Sequence, residues 1–408
     1  MSTARTLAMT SALLLAACGG PSGSDGGSGS GDTTTAAATG SEASSQGTLA
    51  DSSAGGSDSG ETPPFGIGAG PYAAGHASAV LTFGTDREGR VEFWYPAAPT
   101  MMPSDALVDF EPAGERHDAL AMLVDAAPEP CTRRVTDSIR EAMAADTGGA
   151  WPTVVFSHCS NCSRLDGVAL AERLASWGFL VAAPDHEGNT VYDWLAGESV
   201  GVNADFLPVR GADIVAILDA LAADDAGLPA VVRGHADLEH VGIMGHSFGS
   251  VTAGWVAQSD DRVDAVMGIA APFENPVLPG VMVASIDVPV LFLLAQEDNS
   301  ILEIGNNLIR NNYDASASPA WLVEFVDAGH WSFSDICALT TELVPGCGEG
   351  MRMAAPHDPF TYVDIESTRA RASDWAAAFF GAHVVGDASA QAWLSAAASD
   401  DAVLVQSH

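Results

Sequence analysis

Ser247 lies in the pentapeptide Gly245-His246-Ser247-Phe248-Gly249. A serine hydroxyl is a poor nucleophile near neutral pH. It needs a general base, and the base needs a carboxylate to fix its tautomer and to stabilise it once protonated. In a chain with 42 glycines the Gly-x-Ser-x-Gly pattern alone says little, and its surroundings give it weight. It follows the apolar run Val241-Gly242-Ile243-Met244 and precedes a helical segment, which places Ser247 on a sharp strand-to-helix turn with its hydroxyl exposed. Side chains in place of the flanking glycines would collide with backbone there, and the helix N-terminus below favours developing negative charge. The chemistry this predicts is acyl transfer through a covalent intermediate on Ser247.

Asp298 and His330 follow Ser247 in the chain order such a site requires. Asp298 comes just past the apolar run Pro289 to Leu294, through Ala295-Gln296-Glu297. His330 comes just past Trp321 to Val326, through Asp327-Ala328-Gly329. Asp298 also suits the N-cap of a helix starting near Ile301, and Glu297 is a neighbouring alternative acid. His246, His186 and His158 are rival bases, but His330 alone combines a strand-end position with the right order. His246, inside the turn, is expected to pack rather than act. An oxyanion would be held by the backbone N–H of Phe248 and by one from the loop after the strand Thr153 to Ser157, which reads Ser157-His158-Cys159-Ser160-Asn161.

The elements that must position these groups follow from the hydrophobic pattern. Ser78 to Phe83 and Arg90 to Tyr95 read as an antiparallel pair around Asp86-Arg87-Glu88-Gly89. Six further strands follow: Thr153 to Ser157, Phe179 to Ala183, Val241 to Met244, Val263 to Ile269, Val288 to Leu294 and Trp321 to Val326. The later runs are continuously apolar, as strands buried on both faces are. Helical patterns fall at Leu165 to Trp177, Pro208 to Ala223, Phe248 to Gln258, Ile301 to Asn311 and Ser367 to Phe380. The alternation predicts an eight-stranded, mostly parallel sheet flanked by helices. Residues 97–150, with a helical patch near Arg133 to Ala145, and residues 186–207 stand outside this repeat and are expected to shape the mouth of the site.

The first 62 residues do not read as folded. Residues 1–18 carry Arg5, an apolar stretch from Leu7 to Ala17 and then Leu15-Ala16-Ala17-Cys18, which resembles a bacterial lipoprotein signal with Cys18 as the lipidated residue. An ordinary secretion signal is the alternative. Residues 19–62 are mostly Gly, Ser, Thr, Ala and Asp and cannot offset their ordering entropy by burial. They form a tether with a span of about 35–40 Å. The expected organisation is a signal over 1–18, the tether over 19–62, a catalytic domain over 63–385 and a C-terminal tail over 386–408. The protein is thus expected to be exported to a bacterial cell envelope and held by lipid at the outer membrane or cell surface.

The formal charge is −37, and all sixteen basic residues are arginine. So acidic a chain argues against nucleic acid as a partner. With Cys18 lipidated, five cysteines remain. Cys337 and Cys347 close a short loop ending in Pro345-Gly346 and are the first choice for a disulfide; Cys131 pairs with Cys159 or Cys162, leaving one thiol free. The Cys159-Ser160-Asn161-Cys162 motif lacks the second ligand pair of a zinc site and the context of a redox dithiol.

Four blocks, Phe93-Trp94-Tyr95-Pro96, Val154-Val155-Phe156-Ser157-His158, Gly178 to His186 and Gly245 to Gly249, occur in an order that resembles the α/β-hydrolase superfamily. Within it they resemble the branch of platelet-activating-factor acetylhydrolases, dienelactone hydrolases and bacterial polyester hydrolases, over roughly residues 78–335. The resemblance implies an α/β-hydrolase fold, nucleophile Ser247, base His330 and oxyanion donors at Ser160 and Phe248. Two departures stand out. Cys159 replaces the glycine usual after the histidine, and Ile269-Ala270-Ala271-Pro272 offers no carboxylate, so Asp298 favours the dienelactone and polyester hydrolase arrangement. The function implied is hydrolysis of short-chain or lipid-like carboxylic esters without metal or organic cofactor. A serine peptidase on the same fold, or an idle surface-binding lipoprotein, are the alternatives. Trp331, Trp194 and Tyr192 either line an apolar acyl site or pack.

Overall fold

The computed structural model describes residues 65–408 apart from 67, 85–86 and 356–357. Cys18, the signal and the tether lie outside the described residues. In chain order the strands are β1 Ala73–Phe83, β2 Arg87–Ala97, β3 Ser138–Arg140, β4 Trp151–Ser157, β5 Leu180–Pro184, β6 Ala236–His246, β7 Val263–Ile269, β8 Val290–Ala295, β9 Ala320–Phe325, β10 Glu349–Met351, β11 Pro359–Thr361 and β12 Val403–Ser407. The helices are α1 Glu115–Ala126, α2 Val168–Ser176, α3 Val191–Ala196, α4 Leu207–Ala222, α5 Phe248–Ala257, α6 Leu302–Ala315, α7 Ile365–Phe380 and α8 Ala388–Ala396. Among these, no helix is long and apolar enough to cross a membrane.

Ten strands form one sheet in the order β12-β9-β8-β7-β6-β4-β5-β2-β1-β3. The run β9-β8-β7-β6-β4-β5 is parallel, while β2 joins β5, β1 joins β2 and β12 joins β9 antiparallel. Side chains alternate across the strands, so the sheet divides two cores. Along β4, Val154 and Phe156 face α2, α7 and α8, whereas Val155 faces α4, α5 and α6. The parallel run brings the carboxyl ends of β4, β6, β8 and β9 to one edge, where the loops of the candidate site leave the sheet.

All eight expected strands are present, and the sheet adds two at its edges. The stretch expected as a helical patch, Arg133 to Ala145, is extended and contains β3, while the helix of this insertion lies at α1. Burial alternates through Val135, Thr136, Asp137 and Ser138 (exposed, buried, exposed, buried), which is the period of a strand. The expected tail, 386–408, is folded: α8 packs on α7, and β12 lines the edge of β9 with Val403 buried.

The expected Cys337–Cys347 disulfide is not formed. Cys347 is bonded to Cys131, 216 residues away, with Cα atoms 5.5 Å apart, and Cys159 to Cys162. Cys337 is a buried free thiol, and burial pushes it up to about 12. Loop length favoured the local pair, but a bridge between Thr132 and Ile336 lays the insertion beside the segment after His330 and brings Cys131 to Cys347. Cys131→Ser is expected to lower stability by about 2–5 kcal/mol, measured by urea unfolding of the oxidised protein; an unchanged unfolding midpoint would contradict the pairing.

Candidate active site

Ser247 occupies the one-residue turn between β6 and α5 with φ 56° and ψ −117°. Such a backbone conformation in a non-glycine residue costs about 1–3 kcal/mol and persists only where its surroundings hold it. They do so closely here. The Ser247 amide donates to the Ile269 carbonyl of β7 at 2.8 Å. A Cβ on Gly245 would stand 2.0 Å from the Gly249 carbonyl oxygen, and one on Gly249 would stand 1.8 Å from that of Ser157. No side chain fits at either position, so the two glycines let the first turn of α5 press against the end of β4.

The hydroxyl of Ser247 is half-buried, and His330 Nε2 lies 2.9 Å from its Oγ. His330 Nδ1 lies 2.7 Å from Asp298 Oδ2. Asp298 is fully buried, and its other oxygen accepts from the amides of Ser300 and Ile301 at 2.9 and 3.0 Å. Asp298 thus holds the imidazole of His330 and braces the turn that leads into α6, but it is not the N-cap considered from sequence: that position is Ile301, which has no side-chain cap. Glu297 faces away, accepting from Arg352 and from the Met353 amide.

The loop after β4, which carries Ser160, lies against the first turn of α5, where a Cβ on Gly249 would meet the Ser157 and His158 carbonyls. The amides of Phe248 and Ser160 have no partner among the described residues, whereas the Cys159 amide is taken by Asp166 Oδ2 at 3.1 Å. The positive φ in this loop falls on Asn161 (58°), a residue type that tolerates it, so Cys159 needs no glycine's freedom. His158 Nε2 accepts from the His186 amide at 3.0 Å, which leaves Nδ1 to donate to the Cys159 carbonyl at 2.6 Å. Burial, reinforced by the Arg210 charge, holds His158 well below the usual histidine range, which fits this neutral tautomer. Asn189 donates to Ser160 Oγ at 3.0 Å and Ser199 to Asn161, tying the 186–207 insertion to the same loop.

His246 is buried and does not reach the nucleophile as a base. Its Nδ1 lies 3.0 Å from Asp166 Oδ2 and its Nε2 lies 3.0 Å from the His330 carbonyl. Both partners only accept, so satisfying both requires the imidazolium. Burial opposes that charge, but the Asp166 carboxylate outweighs it and raises His246 overall. Burial likewise opposes the Asp166 charge, and His246 and Ser334 outweigh it to lower Asp166. Asp166 thus links the loop after β4, the turn at Ser247 and the segment after His330. Sequence reasoning missed it, because its partner lies 80 residues away and nothing local marks it. Trp331 is buried edge-on against His330 at 4.8 Å, and the Tyr192 hydroxyl donates to Glu111, so both pack rather than line an open acyl site. Cys159, Asp166 and His246 also stand close enough to hold an ion. The Cys159 sulfur is bonded to Cys162 and the other two are bonded to each other, so they do not form a free ligand set.

The mostly parallel sheet flanked by helices is the α/β-hydrolase fold. Residues 140–336 match the dienelactone hydrolase family. Among solved structures the chain is similar to the ferulic acid esterase from Streptomyces cinnamoneus, with 24% identity over 78% of this chain and 91% of that one, and a TM-score of 0.56. A search of curated proteins returns no match.

The buried pair His246–Asp166 carries a pH signature. A raised histidine contributes stability that is full below its ordinary range near 6.5 and fades as pH rises through its folded value; a lowered carboxylate contributes above its ordinary range and fades as pH falls. Asp166→Asn is expected to cost about 3 kcal/mol near pH 6, where both groups are charged, and the gap in thermal melts should narrow towards pH 9. A gap that widens with pH would contradict the assignment.

Proposed function

We propose that this protein is a serine carboxylic-ester hydrolase acting through an acyl-enzyme intermediate on short-chain or lipid-like esters. The observation that carries the reading is the continuous relay from Ser247 Oγ through His330 to Asp298, with separations of 2.9 and 2.7 Å. Ser247 Oγ bonds to the ester carbonyl carbon while its proton passes to His330 Nε2. The carbonyl oxygen, now an oxyanion, accepts from the amides of Phe248 and Ser160. Collapse breaks the carbon–oxygen bond to the alcohol, which leaves with the proton from His330. Water then enters, gives a proton to His330 and attacks the acyl carbon. The carboxylic acid departs as Ser247 recovers its proton.

An apolar substrate agrees with the exposed Leu195, Val200 and Val202 on the insertion bound to the oxyanion loop. That the same fold carries an esterase in the Streptomyces neighbour agrees with ester cleavage. We also propose export to the cell envelope with Cys18 as the lipidated residue, supported by the Leu15-Ala16-Ala17-Cys18 motif and the polar tract after it.

Turnover of p-nitrophenyl acetate and butyrate by wild type and Ser247→Ala tests the mechanism. The variant is expected to lose about 10⁴-fold or more in kcat while melting as wild type does; equal rates would overturn the reading.

A further inference from the structure

Of the arginines among the described residues, Arg210 is the buried one with no carboxylate within ion-pair distance. The contrast with Arg164 is direct. Arg164 is equally buried, and its charge is met by Glu92, Glu111 and Asp185. A buried, unpaired cation is costly, and it persists where surrounding dipoles are arranged to hold it.

Those dipoles belong to the candidate site. On α4, Arg210 Nη2 donates to the carbonyl of His158 and to Ser157 Oγ at 3.1 Å, so it grips the loop that carries the Ser160 amide. Its guanidinium lies 4.6 Å from the centroid of the Phe248 ring, the residue whose amide is the other oxyanion donor. Nε donates at 3.1 Å to Thr252 Oγ1, which in turn donates to the Phe248 carbonyl at 3.0 Å. Nη1 donates at 2.7 Å to Asn189 Oδ1, and Asn189 holds Ser160 Oγ.

Beneath the loop lies a second Ser-His-Asp arrangement, with Ser157 Oγ 3.0 Å from His186 Nε2 and His186 Nδ1 2.9 Å from Asp213 Oδ2. It is not a second nucleophile. Ser157 is fully buried, and its oxygen accepts from Arg210. Burial, with Arg210 and Arg87 nearby, holds His186 well below the histidine range, so the imidazole is neutral and its Nε2 accepts a hydrogen bond from the Ser157 hydroxyl, which keeps its proton. Asp213 is engaged by Arg87 as well as by His186. The arrangement fixes the acceptor that Arg210 needs.

Resting on the serine-esterase reading, we propose that Arg210 is a positioning residue for ester cleavage: its buried guanidinium, with no carboxylate in ion-pair contact, holds the two oxyanion-donating segments together and lends positive potential to the oxyanion. Charge fixed in a water-poor site acts without reorganisation when negative charge develops. Arg210 touches no substrate and acts through Phe248 and the 157–160 loop.

The test compares wild type and Arg210→Met, with active sites counted by a fluorophosphonate label. The readouts are kcat and KM for p-nitrophenyl acetate and the Kd of phenylboronic acid. Ser247 Oγ adds to its boron and gives up a proton to His330, leaving a tetrahedral boronate with one negative charge. The variant is expected to lose about 30-fold or more in kcat per labelled site, with the boronate Kd rising by a similar factor and KM changing less than about threefold. A residue that only supports the fold would reduce the number of labelled sites and leave kcat per site and boronate affinity alone. Folded Arg210→Met with both within about threefold of wild type would overturn the proposal. Should Arg210→Met not fold, Thr252→Val, which removes one acceptor of Arg210, is read the same way. A loss of about fivefold in kcat and boronate affinity supports the proposal, and unchanged values overturn it. Failure of the underlying reading is distinguishable, since it would show as full activity in Ser247→Ala.

Discussion

The contact on which the site depends is the one between the first turn of α5 and the end of β4. Gly249 leaves no room for a Cβ against the Ser157 carbonyl, and Ser247 is held at φ 56° to bring the helix that close. This approach fixes the nucleophile, the Phe248 amide and the loop bearing Ser160 at one distance from one another. The strained residue is kept in place because β6 is hydrogen-bonded on both sides, to β4 and to β7, and cannot relax lengthwise. Packing of the sheet thus offsets the strain of the turn and leaves the serine hydroxyl at the surface of a rigid edge.

Around that contact the loops are tied by polar groups. Asp166 joins the Cys159 amide to His246, and His246 donates to the carbonyl of His330, so the residue before Ser247 also seats His330. The Cys159–Cys162 disulfide closes the loop after β4, and Cys131–Cys347 joins the 97–150 insertion to the segment beyond His330. Arg210 holds the oxyanion loop from below. In a chain whose basic residues are all arginine, the branched guanidinium makes this possible, since one side chain reaches Ser157, His158, Asn189 and Thr252 at once.

Ser247, Asp298 and His330 were legible in sequence because each follows an apolar run, and the strand ends of a parallel sheet share one edge. Position along the chain then translates into position in space. The same logic fails for groups whose role depends on distant contacts. Asp166 and Arg210 carry no local mark of function: one sits in a loop, the other on a helix, and their partners lie tens of residues away. Cysteine pairing failed likewise, because loop length favoured Cys337–Cys347 while the tertiary path of residues 131–133 brought Cys131 to Cys347. The 133–145 segment misled because its charged and small residues fit a helical pattern, although their alternating burial belongs to an edge strand. Residues 386–408 looked like a tail, since β12 is short and its burial rests mainly on Val403.

Under the proposed function, ester cleavage passes through a covalent bond to Ser247. Rapid acid quench of the enzyme during turnover of p-nitrophenyl butyrate, followed by peptide mass spectrometry, tests it most directly. A butyryl group is expected on the peptide containing Ser247, disappearing once substrate is exhausted. Active turnover with that peptide unmodified, or with the acyl group on another residue, would contradict it.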